Sequence, residues 1–286
     1  MRSVAGIAMV DELIPVVVLA GVLGLLIGSF LNVCIARWPA MESVVSPRSR
    51  CPRCGNPIAW YDNVPVLSWL VLRGRCRGCA LPIPLRYPLV ELSTGVIWAA
   101  AVWQYGPSLE ALRAAVFLTI LLGIAMTDAR EFIIPDEFSI GGTVIGIGLA
   151  FAGGALGVRD ALVGAVAGYV LLATVGFLGR KAFGREAMGG GDIKMMAMVG
   201  AFTGVWGVFL TLMLGAFIGL LLHVAAIPFR KTAPVRTDNA DVETMSSEEL
   251  QAEGYLPFGV SLAIAAAAVF VVGAERAIEW YLGMVL

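Results

Sequence analysis

Charge is what this chain has least of. Only 14% of its 286 residues are Asp, Glu, Lys or Arg, against ~25% in an ordinary soluble domain. Together with a hydrophobic share of 59%, that shortage excludes an ordinary soluble enzyme. Histidine is scarcer still. The single copy, His223, lies inside an apolar run and reads as a polar group hydrogen-bonded between helices, not a catalyst. No cleavable signal peptide is evident. The first apolar run, Leu13 to Ile35, is too long for a signal and ends in Arg37, which makes it a retained anchor. There is no strand–glycine loop–helix arrangement for a nucleotide-like ligand, and no internal repeat of the kind transporters carry.

What the chain does have is long apolar runs. Stretches of roughly 17–25 apolar residues cross a bilayer as helices. Eight are expected, at Leu13–Ile35, Tyr87–Gln104, Leu109–Thr127, Phe138–Gly154, Ala161–Leu178, Met195–Val208, Phe209–Pro228 and Phe258–Tyr281. The sixth and seventh are one uninterrupted apolar stretch, with a turn expected at Gly204 to Gly207. The fold class is therefore an all-α polytopic membrane protein. Three domains are expected: a first transmembrane helix (1–37), a cysteine-rich segment (38–86) and a transmembrane remainder (87–286) with an acidic loop at 229–256. That loop, with Asp238, Asp241, Glu243, Glu248, Glu249 and Glu253, reads as a solvated connector.

Orientation follows the basic residues, which collect on cytoplasmic loops. Arg37, Arg48, Arg50, Arg53, Arg73, Arg75, Arg77 and Arg86 crowd the segment after the first run. Arg180, Lys181, Arg185 and Lys194 precede the sixth, and Arg230, Lys231 and Arg236 follow the seventh. Alternation puts all three loops in the cytoplasm and both termini outside.

Two acids then share the cytoplasmic face. Asp192 follows Gly189-Gly190-Gly191 at the start of an apolar run, and Asp128 closes another. A charge at the centre of a membrane costs about 2.5–3.5 kcal/mol or more, so one at such a boundary needs a reason. Asp192 alone could be a helix N-cap. A pair suits acid protease chemistry, in which two close carboxylates share one proton. The glycines let the backbone turn and approach a partner closely. Asp136 rivals Asp128 but follows Pro135 and precedes an apolar run, which suits an N-cap. Lys194 could act on Asp192 or snorkel to the interface. Glu91, a turn into the second run, could pair with Arg86 or serve the chemistry; structure is the favoured reading.

The segment between Trp38 and Tyr87 carries Cys51-Pro52-Arg53-Cys54 and Cys76-Arg77-Gly78-Cys79. Two such pairs wrap one tetrahedral zinc. Two disulfides are the alternative, disfavoured in a reducing cytosol. A segment so poor in large apolar residues would also need a metal to fold.

Taken in order, these residues resemble the type IV prepilin peptidases. The likeness runs from Gly28-Ser29-Phe30-Leu31-Asn32-Val33 through Cys51-Pro52-Arg53-Cys54-Gly55 and Trp60-Tyr61-Asp62-Asn63-Val64-Pro65. It continues through Cys76 to Cys79, Arg86-Tyr87-Pro88-Leu89-Val90-Glu91, Asp128, Ile134-Pro135-Asp136, Gly189-Gly190-Gly191-Asp192 with Lys194, and Leu256-Pro257-Phe258-Gly259. The resemblance implies an inner-membrane aspartic endopeptidase that removes the short basic leader of type IV prepilins or type II secretion pseudopilins at the cytoplasmic face. It implies Asp128 and Asp192 as the catalytic pair, and Cys51, Cys54, Cys76 and Cys79 as structural zinc ligands. Asp136, Gly189, Gly191, Lys194 and Glu91 are carried over as supporting residues. A full four-cysteine loop resembles the bifunctional form, which also methylates the new amino terminus with S-adenosylmethionine. Val260 departs from the family's proline after Phe258-Gly259, and the acidic loop is longer than the pattern needs. The implied partners are the substrate helices and the lipid bilayer; no nucleic acid is expected. The competing reading is a proton- or cation-coupled transporter, which would place its acids near the bilayer midplane. A zinc-anchored scaffold would leave Asp192 idle.

Overall fold

The computed structural model describes residues 2–184, 188–227 and 257–273. The acidic loop 229–256 and the end of the eighth expected span lie outside them. Among the described residues every regular element is helical, and pairing of extended chain is limited to two isolated bridges. The helices are α1 (Arg2–Arg37), α2 (Leu67–Val71), α3 (Arg86–Tyr105), α4 (Leu109–Glu131), α5 (Asp136–Phe151), α6 (Val158–Phe183), α7 (Gly190–Ala226) and α8 (Phe258–Val272). They fall into two compact units, Met1–Gly123 with Ala152–Ala155, and Ile124–Phe151 with Leu156–Leu286.

Among the described residues four helical stretches are long and apolar enough to cross a membrane: Glu12–Arg37, Leu109–Glu131, Val158–Ala182 and Gly190–Ala226. This is a multi-pass membrane protein. Five of the eight expected spans lie in these four stretches, because α7 holds two of them, so the count of eight is not confirmed among the described residues. The remaining three correspond to α3, which carries Arg86, Glu91 and Gln104, to α5 at 16 residues, and to α8 at 15. Apolar side chains point outward as well as inward, as with Val166 at 63% exposure and Phe177 at 65% on α6. A helix apolar all round is made for a solvent of hydrocarbon.

In the first unit α1 and α3 pack antiparallel along a stripe of small residues. Gly21 faces Ala99, Gly24 faces Thr94, Gly95 and Trp98, and Gly28 meets Glu91. Where lipid is as apolar as leucine, close backbone approach is what drives helices together. Trp98 Nε1 donates to Thr119 Oγ1 (3.1 Å), tying α3 to α4. Threonine hydroxyls inside the apolar helices are satisfied locally, Thr94 by Val90 O (2.8 Å) and Thr119 by Ala115 O (2.6 Å), as burial requires.

In the second unit α6 and α7 pack backbone to backbone. Gly164 lies against Gly200, and Gly168 against the Met196 carbonyl. A straight 37-residue helix would run ~55 Å, far beyond a hydrocarbon core of about 30 Å. The helical path of α7 breaks at Gly204 (φ 69°, ψ −174°), a conformation open to glycine. The first arm, 190–203, runs from Gly191 beside Ile134 to Phe202 beside Gly146. The second arm passes Gly215 against Leu262 and then Gly219 against Phe258 and Ser261. Since Gly259 also touches Ile134, the second arm returns toward the end from which α7 set out. The turn falls where the two-helix reading puts it, although the helical run is continuous on either side of the break.

The packing makes a prediction about cost. Gly200→Ala forces a methyl into the Gly164 backbone and should destabilise by about 2 kcal/mol, as overpacking does. Gly148 has open space around it, so Gly148→Ala should be neutral or mildly stabilising. Unfolding midpoints of the two variants in detergent check the contrast; equal effects would contradict the packing.

Candidate active site

Asp128 sits in the last turns of α4 and is 5% exposed. The helix closes just beyond it, where Phe132 N–H donates to the Asp128 carbonyl (3.1 Å) and Phe132 turns to positive φ (54°). The carboxylate is held by another helix. Val260 N–H, in the first turn of α8, donates to Asp128 Oδ2 (2.9 Å). The first amides of a helix lack intrahelical acceptors and carry partial positive charge, so a carboxylate is a natural partner. A Cβ at Gly259 would stand 2.7 Å from Asp128 Oδ2 and 2.8 Å from Ile134 Cδ1. Only glycine fits there. This cradle went unassigned in the sequence, although Pro257-Phe258-Gly259 opening an apolar run was its visible trace.

Asp192 lies in the first turn of α7, half-buried, three residues past the N-cap, which is Gly189. It is therefore not the cap itself. Ile134 fixes the local path, since a Cβ at Gly191 would be 3.0 Å from its Cβ. Gly189 lies close under Asp192 Oδ2 (3.0 Å to a built Cβ). Asp128 and Asp192, 64 positions apart in sequence, stand on helix ends joined by Ile134, which packs against Gly259 beside the Asp128 carboxylate and against Gly191, the residue before Asp192. Lys194 turns away from Asp192 and binds both oxygens of Asp136 (2.7 and 2.9 Å). Asp136 is the first residue of α5, so this ion pair clamps the start of α5 to the start of α7. Glu91 makes no ion pair with Arg86. Its Oε2 accepts Val66 N–H (2.7 Å), while the Arg86 guanidinium lies over the Tyr87 ring at 5.0 Å.

The four cysteines converge in the first unit, their sulfurs all within 4.8 Å of one another. Cys51 Sγ and Cys79 Sγ are 4.0 Å apart, twice a disulfide bond length and near the edge of a tetrahedron built on Zn–S bonds of about 2.3 Å. Each pair forms the same turn. Cys51 N–H donates to Asn56 O and Gly55 N–H to Cys51 O; Cys76 N–H donates to Leu81 O and Ala80 N–H to Cys76 O, all at 2.9 Å. The backbone N–H of Cys54, above all, brings the Cys51 thiol down to about 7. For Cys79 the Leu81 N–H pulls the same way, but burial and hydrogen bonds to Cys76, Cys54 and Cys51 outweigh it and raise the thiol to about 11. Crowded thiols give up a first proton readily and later ones reluctantly, and a bound cation relieves that repulsion. Around the knuckles, Arg77 binds both oxygens of Asp62 at 2.7 Å, and Trp69 Nε1 donates to Ile83 O (3.1 Å).

The fold and site define a multi-pass membrane protein with two carboxylates at joined helix ends in its second unit and a four-thiol cluster in its first. Residues 22–105 match the bacterial peptidase A24 N-terminal domain, and residues 115–224 match the type IV leader peptidase family. A prepilin leader peptidase/N-methyltransferase of Myxococcus xanthus is 45% identical over 227 residues, 78% of this chain and 66% of that protein. One from Pseudomonas putida is 37% identical over 75% of this chain and 82% of its own length. One from Aeromonas salmonicida is 31% identical over 92% of both. No solved structure matches. The chain belongs to the type IV leader peptidase family, and it is a peptidase.

The paired turns carry their own prediction. Gly55 (φ 72°) and Ala80 (φ 56°) occupy the same left-handed position in the two knuckles, where a Cβ costs roughly 1–2 kcal/mol. Ala80→Gly should stabilise the module by about 1 kcal/mol and Gly55→Ala should weaken it by a similar amount. Pulse proteolysis of residues 38–86 measures both.

Proposed function

We propose that Asp128 and Asp192 are the catalytic pair of an aspartic endopeptidase that removes the short basic leader of type IV prepilins or type II secretion pseudopilins. The observation that supports the reading is that Ile134 joins the two helix ends on which they stand, packing against Gly259 beside Asp128 and against Gly191 before Asp192. Two carboxylates that cannot both ionise share a proton. One takes a proton from water as its oxygen adds to the scissile carbonyl, and the other holds the carbonyl oxygen. Collapse of the tetrahedral adduct breaks the C–N bond and passes a proton to the leaving amine. The pair titrates as a unit, so neither acid has a fixed role. Asp136 and Lys194 support the pair by fixing the two helix starts, and Gly189 and Gly191 by admitting the tight approach, while Glu91 supports the first unit by securing Val66 to α3.

Residues 38–86 act as a cytoplasmic module on one structural zinc held by Cys51, Cys54, Cys76 and Cys79, and residues 87–286 as the peptidase. The protein resides in the bacterial inner membrane with its active site at the cytoplasmic face and both termini outside. It also methylates the new amino terminus with S-adenosylmethionine. Family membership leaves the transporter alternative without support.

Asp128→Asn and Asp192→Asn should each lower leader cleavage at least about 1,000-fold with the unfolding midpoint preserved, because the change is nearly isosteric and removes the shared proton's site. The assay is product mass after mixing detergent-solubilised protein with a leader-bearing prepilin, and retained cleavage by either variant would remove that acid from the pair. Elemental analysis should find about one zinc per chain, lost on Cys51→Ser; a metal-free purified protein with an intact fold would refute the zinc module.

A further inference from the structure

The short helix α2 is built inside out for a module surrounded by water. Leu67, Leu70 and Val71 share one helical face and stand outward, at 58%, 59% and 68% exposure. The side that packs inward is polar. Ser68 is buried, its hydroxyl donating to Tyr61 O (3.1 Å) and accepting Val64 N–H (2.9 Å). Trp69 lies against Gly74 and turns its Nε1 to Ile83 O. In water this arrangement forfeits about 25 cal/mol for each Å² of apolar surface left wet. Large aliphatic side chains clustered on the outside mark an interaction surface.

The level of α2 along the membrane helices identifies the partner. Val66, the residue before α2, donates its N–H to Glu91 Oε2 at 2.7 Å. Glu91 packs in turn on Gly28 of α1, where a built Cβ would stand 2.7 Å from its Cα. Gly28 lies nine residues inside Arg37, the end of the 26-residue apolar stretch Glu12–Arg37. At 1.5 Å per residue that is ~13 Å, and the whole stretch runs ~39 Å. It exceeds a hydrocarbon core of about 30 Å by only ~9 Å. Even with all of that excess on the Arg37 side, Gly28 stays within the core, and α2 starts at its depth. Trp60 reaches as far, lining one cavity with Leu26 and Phe30 of α1. On α3, Leu89 and Leu92 on either side of Glu91 are also exposed, so both helices meet the same medium at this level. Exposed Arg73 and Arg75 follow α2, suited to the anionic headgroups of a cytoplasmic leaflet.

We infer that α2 is an interfacial anchor, with Leu67, Leu70 and Val71 among the acyl chains and Arg73 and Arg75 at the lipid phosphates. The inference rests on the reading of α1 as a transmembrane helix. It seats the cysteine module in the lipid surface, as amphipathic segments lie, and not on a stalk above it. Three aliphatic side chains would not hold a free segment at a membrane. Between α1 and α3 they need only orient a module that is already there.

Lipid photolabelling of the full chain tests this without any substitution. The protein is placed in bilayers of phosphatidylethanolamine and phosphatidylglycerol that include a phospholipid with a diazirine on its acyl chain. Labelled peptides are mapped after irradiation. Residues 67–71 should carry label, as should the α6 peptide with Val166, which is exposed within the span Val158–Ala182. Label on α6 but not on 67–71 would overturn the inference, whether water, the second unit or a second copy of the chain covers α2. Label on neither would bring down the membrane reading as well. Leu67→Gln, Leu70→Gln and Val71→Gln combined should lower the label on 67–71 at least about fivefold and leave that on α6 unchanged. Undiminished labelling of a folded triple variant would take the anchoring role from the three side chains. The wild-type arm stands even if the triple variant unfolds.

Discussion

A carboxylate removed from water must be given hydrogen-bond donors, and much of the second unit is arranged around that need. Asp128 is buried in an apolar bundle and receives Val260 N–H from the amino end of α8. For that amide to reach it, residue 259 must lack a side chain and α8 must start at Phe258. Ile134 is wedged between Gly259 and Gly191, so the same side chain that positions the donor of Asp128 also sets the path into Asp192. The Lys194–Asp136 ion pair closes the arrangement from its exposed side. At such exposure the pair adds little stability; its contribution is geometric, holding two helix starts in register.

The membrane helices achieve by backbone contact what soluble bundles achieve by side-chain burial. Hydrocarbon solvent offers no hydrophobic drive toward association, and the stripes Gly21, Gly24, Gly28 and Gly164, Gly168, Gly200 let main chains touch. Such packing tolerates no added methyl group, so the rigidity of the aspartate site rests on residues that have no side chain. The cysteine module relies on a different device. It has few buried apolar residues, and its two matched knuckles bring four sulfurs together through backbone hydrogen bonds. Donor type and spacing suit a single tetrahedral cation.

The repeated Cys-x-x-Cys pairs, the long apolar runs and the acids at their ends were legible because each is local. A turn chemistry, a hydropathy window and a charge at a boundary can all be read within about twenty residues. Even the reversal in α7 left a local mark, since Gly204 stands in an otherwise unbroken apolar stretch. Among the described residues the eight-span count is unconfirmed where a polar residue or a short helix interrupts the apolar pattern, as in α3 and α5. Lys194 illustrates a subtler limit: its separation of two from Asp192 suggested an effect on that acid, yet successive helical positions point to different faces, and the lysine reaches Asp136 instead.

By itself, then, the sequence determined that the chain is a helical membrane protein, that it carries a four-thiol module, and that Asp128 and Asp192 stand at the ends of apolar runs. Hydropathy and ligand type are properties of the residues and survive without knowledge of the fold. The tertiary structure alone decided that Val260 serves Asp128, that Glu91 holds Val66, and that Lys194 clamps Asp136. Those contacts join residues 25 to 132 positions apart. Nothing in a residue's neighbours along the chain encodes such a partner, because it is chosen by how helices dock.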